Sequence, residues 1–286
     1  MPDETELRNR SAHFQMSSPA IDINAYLNRI AYHGPIDVSI ETLRALHTAH
    51  ALAVPFENLD IHLGRPILLD EAALFEKIVT RRRGGYCFEM NGLMTAVLRQ
   101  LGFSVKTLAA RIMRSSTDVR AKTHRLQLVE VDGERWIVDV GFGGNGLIAP
   151  LRLETGKIDR QFSESFRLTT DERFGHVLEA LIRDRWQKLY AFTLEEHLSV
   201  DYELMNYFTS TSPEALFTQV RICTKPTPEG RVTLTGMELK IRHGEQTQTS
   251  YLASEEAYHQ ALREHFDIVL DGPFVDPRAS VAECRP

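Results

Sequence analysis

The chain has 286 residues, 43% hydrophobic and 25% charged, with a formal net charge of −6; that length suits one large domain or two to three small ones, and the charge excludes a protein built around a basic nucleic-acid stripe. No stretch approaches the ~20 apolar residues of a membrane span, and residues 1–20 are polar with no hydrophobic signal region. The three cysteines, Cys87, Cys223 and Cys284, are too few for a disulfide framework and form no C-x-x-C, so a cytoplasmic protein with free thiols and no metal is expected.

Residues 1–20 read as a leader, and a helical domain is expected over 21–102. Ile23, Leu27 and Ile30 fall at i, i+4 and i+7, with Asp22 as cap and Gly34-Pro35 as stop. A second helix is expected near 39–50, with Ile40, Leu43 and Leu46 on one face. A third starts after Asp70 and carries Leu74, Ile78 and Val79. The run Arg81-Arg82-Arg83 fits the solvated end of a helix. A fourth helix runs from Cys87 to Leu101, and Gly102 serves as its C-cap.

After Gly102 the period changes. Segments 104–112, 123–131, 134–142, 163–170, 176–182 and 186–193 read as strands, which gives an antiparallel β-barrel domain over 103–205. Residues 206–228, with prolines at 213, 226 and 228, read as a connector. Strands near 231–235, 237–242 and 247–252 and a helix from Ser254 to Phe266 form an α/β lid over 229–286. The fold class is α+β, without repeats or heptads.

Cys87 follows Arg83-Gly84-Gly85-Tyr86 and opens a helix. A helix N-terminus offers partial positive charge and free N–H groups, which favour a thiolate nucleophile, and the N–H of Cys87 itself can meet an oxyanion. The competing reading is a small buried hydrophobe. Cys223, in the expected connector, and Cys284, near the end, have no histidine beside them in a structured segment.

His124 stands out among eleven histidines because of its hairpin. Asp132-Gly133 marks a two-residue turn, which pairs Val131 with Glu134. Continued along the strands, that register sets Asp139 opposite Leu126 and His124 opposite Gly141. His124 and Asp139 then share a face as diagonal neighbours, with Cα atoms about 7–8 Å apart. A buried His–Asp pair can serve the fold alone. With a thiol at a helix start it makes a Cys-His-Asp arrangement, in which His124 is the base and Asp139 its orienting group, suited to acyl transfer or hydrolysis.

Gly141-Phe142-Gly143-Gly144-Asn145-Gly146 matches G-x-G-x-x-G, but extended chain follows where a dinucleotide site needs a helix. The glycines fit a loop whose N–H groups face an anion or a bulky ligand. His47/His50 and His259/His265 lack metal-site spacing and read as core-edge residues.

Four segments carry a resemblance: Val54-Pro55-Phe56-Glu57-Asn58-Leu59-Asp60, Arg83-Gly84-Gly85-Tyr86-Cys87-Phe88-Glu89-Met90-Asn91, Thr123-His124, and Asp139-Val140-Gly141-Phe142-Gly143. Together, in this order, they resemble the arylamine N-acetyltransferases over roughly residues 20 to 275. Asn206 to Pro213 resembles the segment before that family's last domain, which often has His where Ser212 stands. The resemblance implies a helical bundle, a β-barrel and an α/β lid around a papain-like catalytic core. It implies ping-pong acetyl transfer from acetyl-CoA, through a thioester on Cys87, to an arylamine, hydrazine or arylhydroxylamine, with no permanently bound cofactor. It places Phe142, with Phe56 and Tyr86, at the substrate pocket, and Gly143, Gly144, Gly146 and Phe217 near CoA. Partners would be small-molecule substrates, without nucleic acid or membrane, for a monomer or homo-oligomer. An amide synthase of natural-product assembly, a cysteine hydrolase and a non-catalytic binding module remain as alternatives on the same triad.

Overall fold

The computed structural model describes residues 20–113 and 119–278. Cys284 and all of the leader but Ala20 lie outside the described residues. The first layer is helical. Helix α1 (Ile23–Arg29) is capped by Asp22, whose carboxylate accepts the Ala25 N–H at 3.0 Å. Helix α2 (Ile40–Ala53) is capped by Ser39 in the same way. Strand β1 (Phe56–Glu57) and short helix α3 (Leu59–His62) follow. Helix α4 (Glu71–Phe75) passes into a π turn, Glu76–Thr80, and α5 spans Cys87–Gln100.

Eight antiparallel strands form the second layer: β2 (Ser104–Ile112), β3 (Lys122–Val131), β4 (Glu134–Val138), β5 (Leu151–Arg152), β6 (Ile158–Gln161), β7 (Glu164–Asp171), β8 (Gly175–Ile182) and β9 (Arg185–Phe192). Their order, β5-β4-β3-β2-β9-β8-β7-β6, makes a nearly closed barrel. Gln161 stitches the seam, accepting the N–H groups of Ile148 and Ala149 at 2.9 Å each and donating to the Ala149 carbonyl. Alternation along β3 and β4 serves two cores at once. Val129, Val131, Trp136 and Val138 pack on the helices, while Leu126, Leu128 and Ile137 point into the barrel. Helix α5, buried from Cys87 to Leu98, belongs to the helical core and packs on β2 and β3.

The remainder departs from the sequence reading in two places. Residues 206–228 are not a connector. They hold the end of helix α6 (Ser199–Thr211), helix α7 (Leu216–Gln219) and the whole of strand β10 (Ile222–Thr227). Pro226 is tolerated because β1 pairs only with Cys223 and Thr224, so that side of β10 has no ladder to lose at the proline. β10 joins β11 (Gly230–Thr235), β12 (Glu238–His243) and β13 (Gln246–Tyr251) in a five-stranded sheet, order β1-β10-β11-β12-β13, backed by helix α8 (Glu255–Phe266). The second departure is β4, which stops at Val138 rather than at 142. Beyond it the Val140 N–H is taken by the Asn91 side chain instead of a neighbouring strand. Among the described residues no helix is long and apolar enough to cross a membrane.

Candidate active site

Cys87 is the first residue of α5, and the chain reaches it along β1, where the Glu57 N–H donates to the Gly85 carbonyl at 3.0 Å. A Cβ on Gly84 would lie 1.9 Å from the Pro55 carbonyl oxygen, so only glycine allows that approach. Glu89 reaches back from the first turn and accepts the Tyr86 N–H at 3.0 Å, which fixes the start of the helix.

Five charged side chains hold this loop from behind. Arg83 bonds Glu57 at 2.7 Å and Asp60 at 3.1 Å. Lys77, delivered by the π turn, bonds Asp60 at 2.8 Å and Glu89 at 2.7 Å. Burial pulls the Lys77 ammonium down, but the carboxylates outweigh it and hold it above its ordinary range. Burial lifts the Glu89 carboxyl to about 7 against the pull of Lys77. The three consecutive arginines therefore divide. Arg81 and Arg82 are solvated as expected, whereas Arg83 is buried. Its partners come from β1 and α3, more than twenty residues away in the sequence, where local reading does not look.

His124 lies on the barrel-facing side of β3, with its Nε2 2.8 Å from Asp139 Oδ2, and both side chains are out of water. The hairpin register is the expected one from Val131↔Glu134 to Gln127↔Val138. There the ladder ends, and Asp139 is held by side chains rather than by strand pairing. Its Oδ1 accepts from Asn91 Nδ2 at 2.9 Å and from the Gly141 N–H at 3.1 Å. Asn91 Nδ2 also donates to the Arg125 carbonyl, which ties α5 to β3. Sequence reasoning assigned Asn91 no role. Its signal was a polar residue four positions after Cys87, on the same face of a helix that is otherwise apolar there. Tyr190 was also missed. Its ring lies 4.9 Å from that of His124, and its hydroxyl faces Asp139 outside good hydrogen-bond geometry.

With Nε2 on Asp139, the other ring nitrogen of His124 is left for the thiol, and Cys87 Sγ also lies 3.6 Å from the Thr123 carbonyl oxygen. A Cβ on Gly141 would come 2.9 Å from the Cys87 Cα, so the backbone after Asp139 packs directly on Cys87. Burial disfavours charge on His124, but Asp139 overrides it and raises the imidazole to about 10. Burial likewise opposes the Asp139 charge, and His124 overrides it, holding the carboxyl below its ordinary value. The histidine contribution to stability is therefore complete below pH 6.5 and lost as pH rises through about 10. The aspartate contribution is complete above the ordinary carboxyl range and lost as pH falls through the lowered value. Asp139→Asn is expected to cost about 3 kcal/mol near neutral pH. Its melting-temperature gap to the parent should be widest at about pH 6 and close toward pH 10. A gap that persists undiminished at pH 10 contradicts the charged pair.

A cleft of about 1100 Å³ opens on this group, and Cys87, His124, Phe142, Phe56, Gly144 and Phe217 are among the residues that line it. Gly143 and Gly146 instead border a separate cavity of about 20 Å³ beneath the loop. Tyr86 is not part of the cleft wall. It is fully buried, with its hydroxyl on Asn206 and its ring 5.6 Å from that of Phe217. Cys223 is buried in the lid core, where burial pushes its thiol far up. Iodoacetamide at neutral pH should thus alkylate Cys87 in the folded protein and leave Cys223 untouched until denaturant is added; peptide mapping that finds Cys223 labelled first contradicts this placement. His47 and His50 lie inside the helical layer rather than at its edge, with burial pushing them down to about 4 and about 3. Among the described residues no group of three or more His, Cys, Asp or Glu could hold a metal ion.

A helical layer with a thiol at one helix start, packed on an antiparallel barrel that presents a histidine, places the fold in the papain-like class. A family model described as N-acetyltransferase matches residues 39–275. The arylamine N-acetyltransferase of Mycobacterium tuberculosis strain H37Rv is 40% identical over 255 residues, covering 87% of this chain and 90% of that protein. That of Escherichia coli K12 is 38% identical, covering 87% and 89%. The Mycobacterium marinum enzyme solved in complex with CoA superposes with a TM-score of 0.83 at 39% identity, covering 86% of this chain and 93% of that one. The chain belongs to the arylamine N-acetyltransferase family.

Proposed function

We propose that the protein moves acetyl groups from acetyl-CoA to arylamines, arylhydrazines or arylhydroxylamines in two half-reactions through Cys87. The observation that carries this reading is the buried His124–Asp139 pair at 2.8 Å, with His124 and Cys87 lining one cleft. His124 takes the thiol proton, and Asp139, fixed by Asn91, keeps the ring oriented and supports its positive charge. The thiolate attacks the acetyl carbonyl carbon of the donor, and the N–H of Cys87 meets the developing oxyanion. The C–S bond to CoA breaks, the departing thiolate receives the proton from His124, and the acetyl group stays on Sγ. In the second half the amine attacks that thioester, His124 takes its proton, and Cys87 is released. One hard transfer becomes two easier ones.

Two relatives support the substrates. The M. marinum neighbour was solved with CoA. A Salmonella typhimurium relative, 37% identical, is named for both arylamine N-acetylation and N-hydroxyarylamine O-acetylation. Phe142, Phe56, Gly144 and Phe217 line the cleft, which supports assigning them to substrate and CoA. Tyr86 acts from behind the wall, and Gly143 and Gly146 shape the loop.

Intact-protein mass spectrometry tests the proposal. Acetyl-CoA should add a single acetyl group on Cys87, and an arylamine should remove it. An adduct that water removes as fast as amine points to a hydrolase. No adduct from acetyl-CoA, with one from a carrier-bound acyl thioester, points to an amide synthase.

A further inference from the structure

The residues that wall the cleft divide by element into two unlike arms, one from the lid side and one from the barrel. The arm toward the lid is walled by Phe217, Thr224, Thr233 and Thr235, and its one charged wall residue is Glu214. The arm toward the barrel has apolar walls, Ile112, Met113, Ile182 and Leu189, and two cations at its rim, Arg120 and Lys188. It holds no acidic wall residue, in a chain whose net charge is −6. Among the described residues Arg120 has no carboxylate partner, although its carbonyl is held by the Arg111 guanidinium. Lys188 has only a loose one, Asp171 at 3.8 Å, outside the cleft wall.

The geometry points to an anion subsite in the barrel arm, in which Arg120 and Lys188 receive the carboxylate of an arylamine acceptor such as an aminobenzoate. This rests on the acetyl-transfer reading above and names which acceptors it favours. Distance decides between the two anionic substrates. Lys188 is two residues along β9 from Tyr190, whose ring packs on His124, a strand distance of about 7 Å. Arg120 is three residues from Thr123, whose carbonyl faces Cys87 Sγ, about 10 Å of extended chain. Both cations therefore lie no more than a short stretch of chain from residues that touch His124 and Cys87, within the reach of a substituent on a ring bound there. In acetyl-CoA the whole pantetheine arm separates the thioester from the nearest phosphate, so its phosphates fall outside this range. The apolar walls suit a flat ring, and the cations suit a charge at its far end.

The test compares 4-aminobenzoate with its ethyl ester, which keeps the ring and amine and removes the charge. Parent, Arg120→Gln, Lys188→Gln and the double variant are assayed with acetyl-CoA and, separately, with p-nitrophenyl acetate, a donor without phosphates. For exposed cations the expected loss is a KM for the acid about tenfold higher in the double variant with either donor. The ester should be unaffected, and the preference for acid should fade at high salt. Equal changes for acid and ester, or no change at all, overturn the subsite. A rise in KM confined to acetyl-CoA overturns it in favour of the donor phosphates. Equilibrium binding of 4-aminobenzoate to the resting protein, weakened in the double variant, reads the subsite even if no acetyl group is transferred, so the two readings fail separately.

Discussion

Cys87→Ser is expected to lose acetyl transfer by about 10⁴-fold or more and to melt within about 2 °C of the parent. The size of the first effect follows from chemistry. A seryl oxygen in the same place gives up its proton far less readily, and among the described residues no second cysteine lines the cleft. The smallness of the second follows from contacts. The thiol's polar contacts are the Thr123 carbonyl at 3.6 Å and the His124 ring, and a hydroxyl replaces both at nearly the same volume. Turnover with a saturating arylamine and a thermal melt on the same preparation check the pair of expectations. Retained turnover would remove Cys87 from the mechanism.

The second large effect falls on stability. Arg83→Ala leaves the Glu57 carboxylate buried without its partner and takes one of two close cations from Asp60. Removing one member of a buried ion pair costs about 3–5 kcal/mol, because the stranded charge cannot be solvated. For a chain of this size that lowers the melting temperature by about 10 °C. Turnover should fall as well, since Arg83 opens the loop that leads into Cys87. Arg81→Ala is the control. Arg81 and its partner Glu76 are both solvated, so the melt should barely change. Equal effects of the two substitutions would contradict the buried network.

The sequence made some of this legible and hid the rest for identifiable reasons. Helix starts at Asp22, at Asp70 and at Ser254 are local signals, and each side chain caps as its type suggests. The Asp132-Gly133 turn fixed a register from which the meeting of His124 and Asp139 could be worked out. The reasoning failed where a residue answers to something distant. Arg83 reads as a solvated cation until β1 is laid beside it. Ile222 to Thr227 reads as a connector because it contains a proline, and only the brevity of β1 shows why the proline is harmless. Asn91 supports Asp139 from a helix, marked only by its spacing from Cys87, and Tyr190 packs on His124 from β9, where no local period marks it.

The pairing of β1 with β10 has a consequence for how the protein comes into being. Phe56 lies opposite Thr224, and Asn58 bonds the carbonyls of Phe217 and Val220 and the N–H of Ile222. The segment that lies against the nucleophile's loop therefore finds its own partner only when residues more than 150 positions later have been made. A nascent chain halted after Phe192 already contains Cys87, His124 and Asp139, yet β1 has only its bridge to Gly85 and no β10 ladder. Such a chain should acquire the barrel early and its acetyl-transferring competence last, so that synthesis from one end to the other leaves the loop of Cys87 unsupported until the protein is nearly whole.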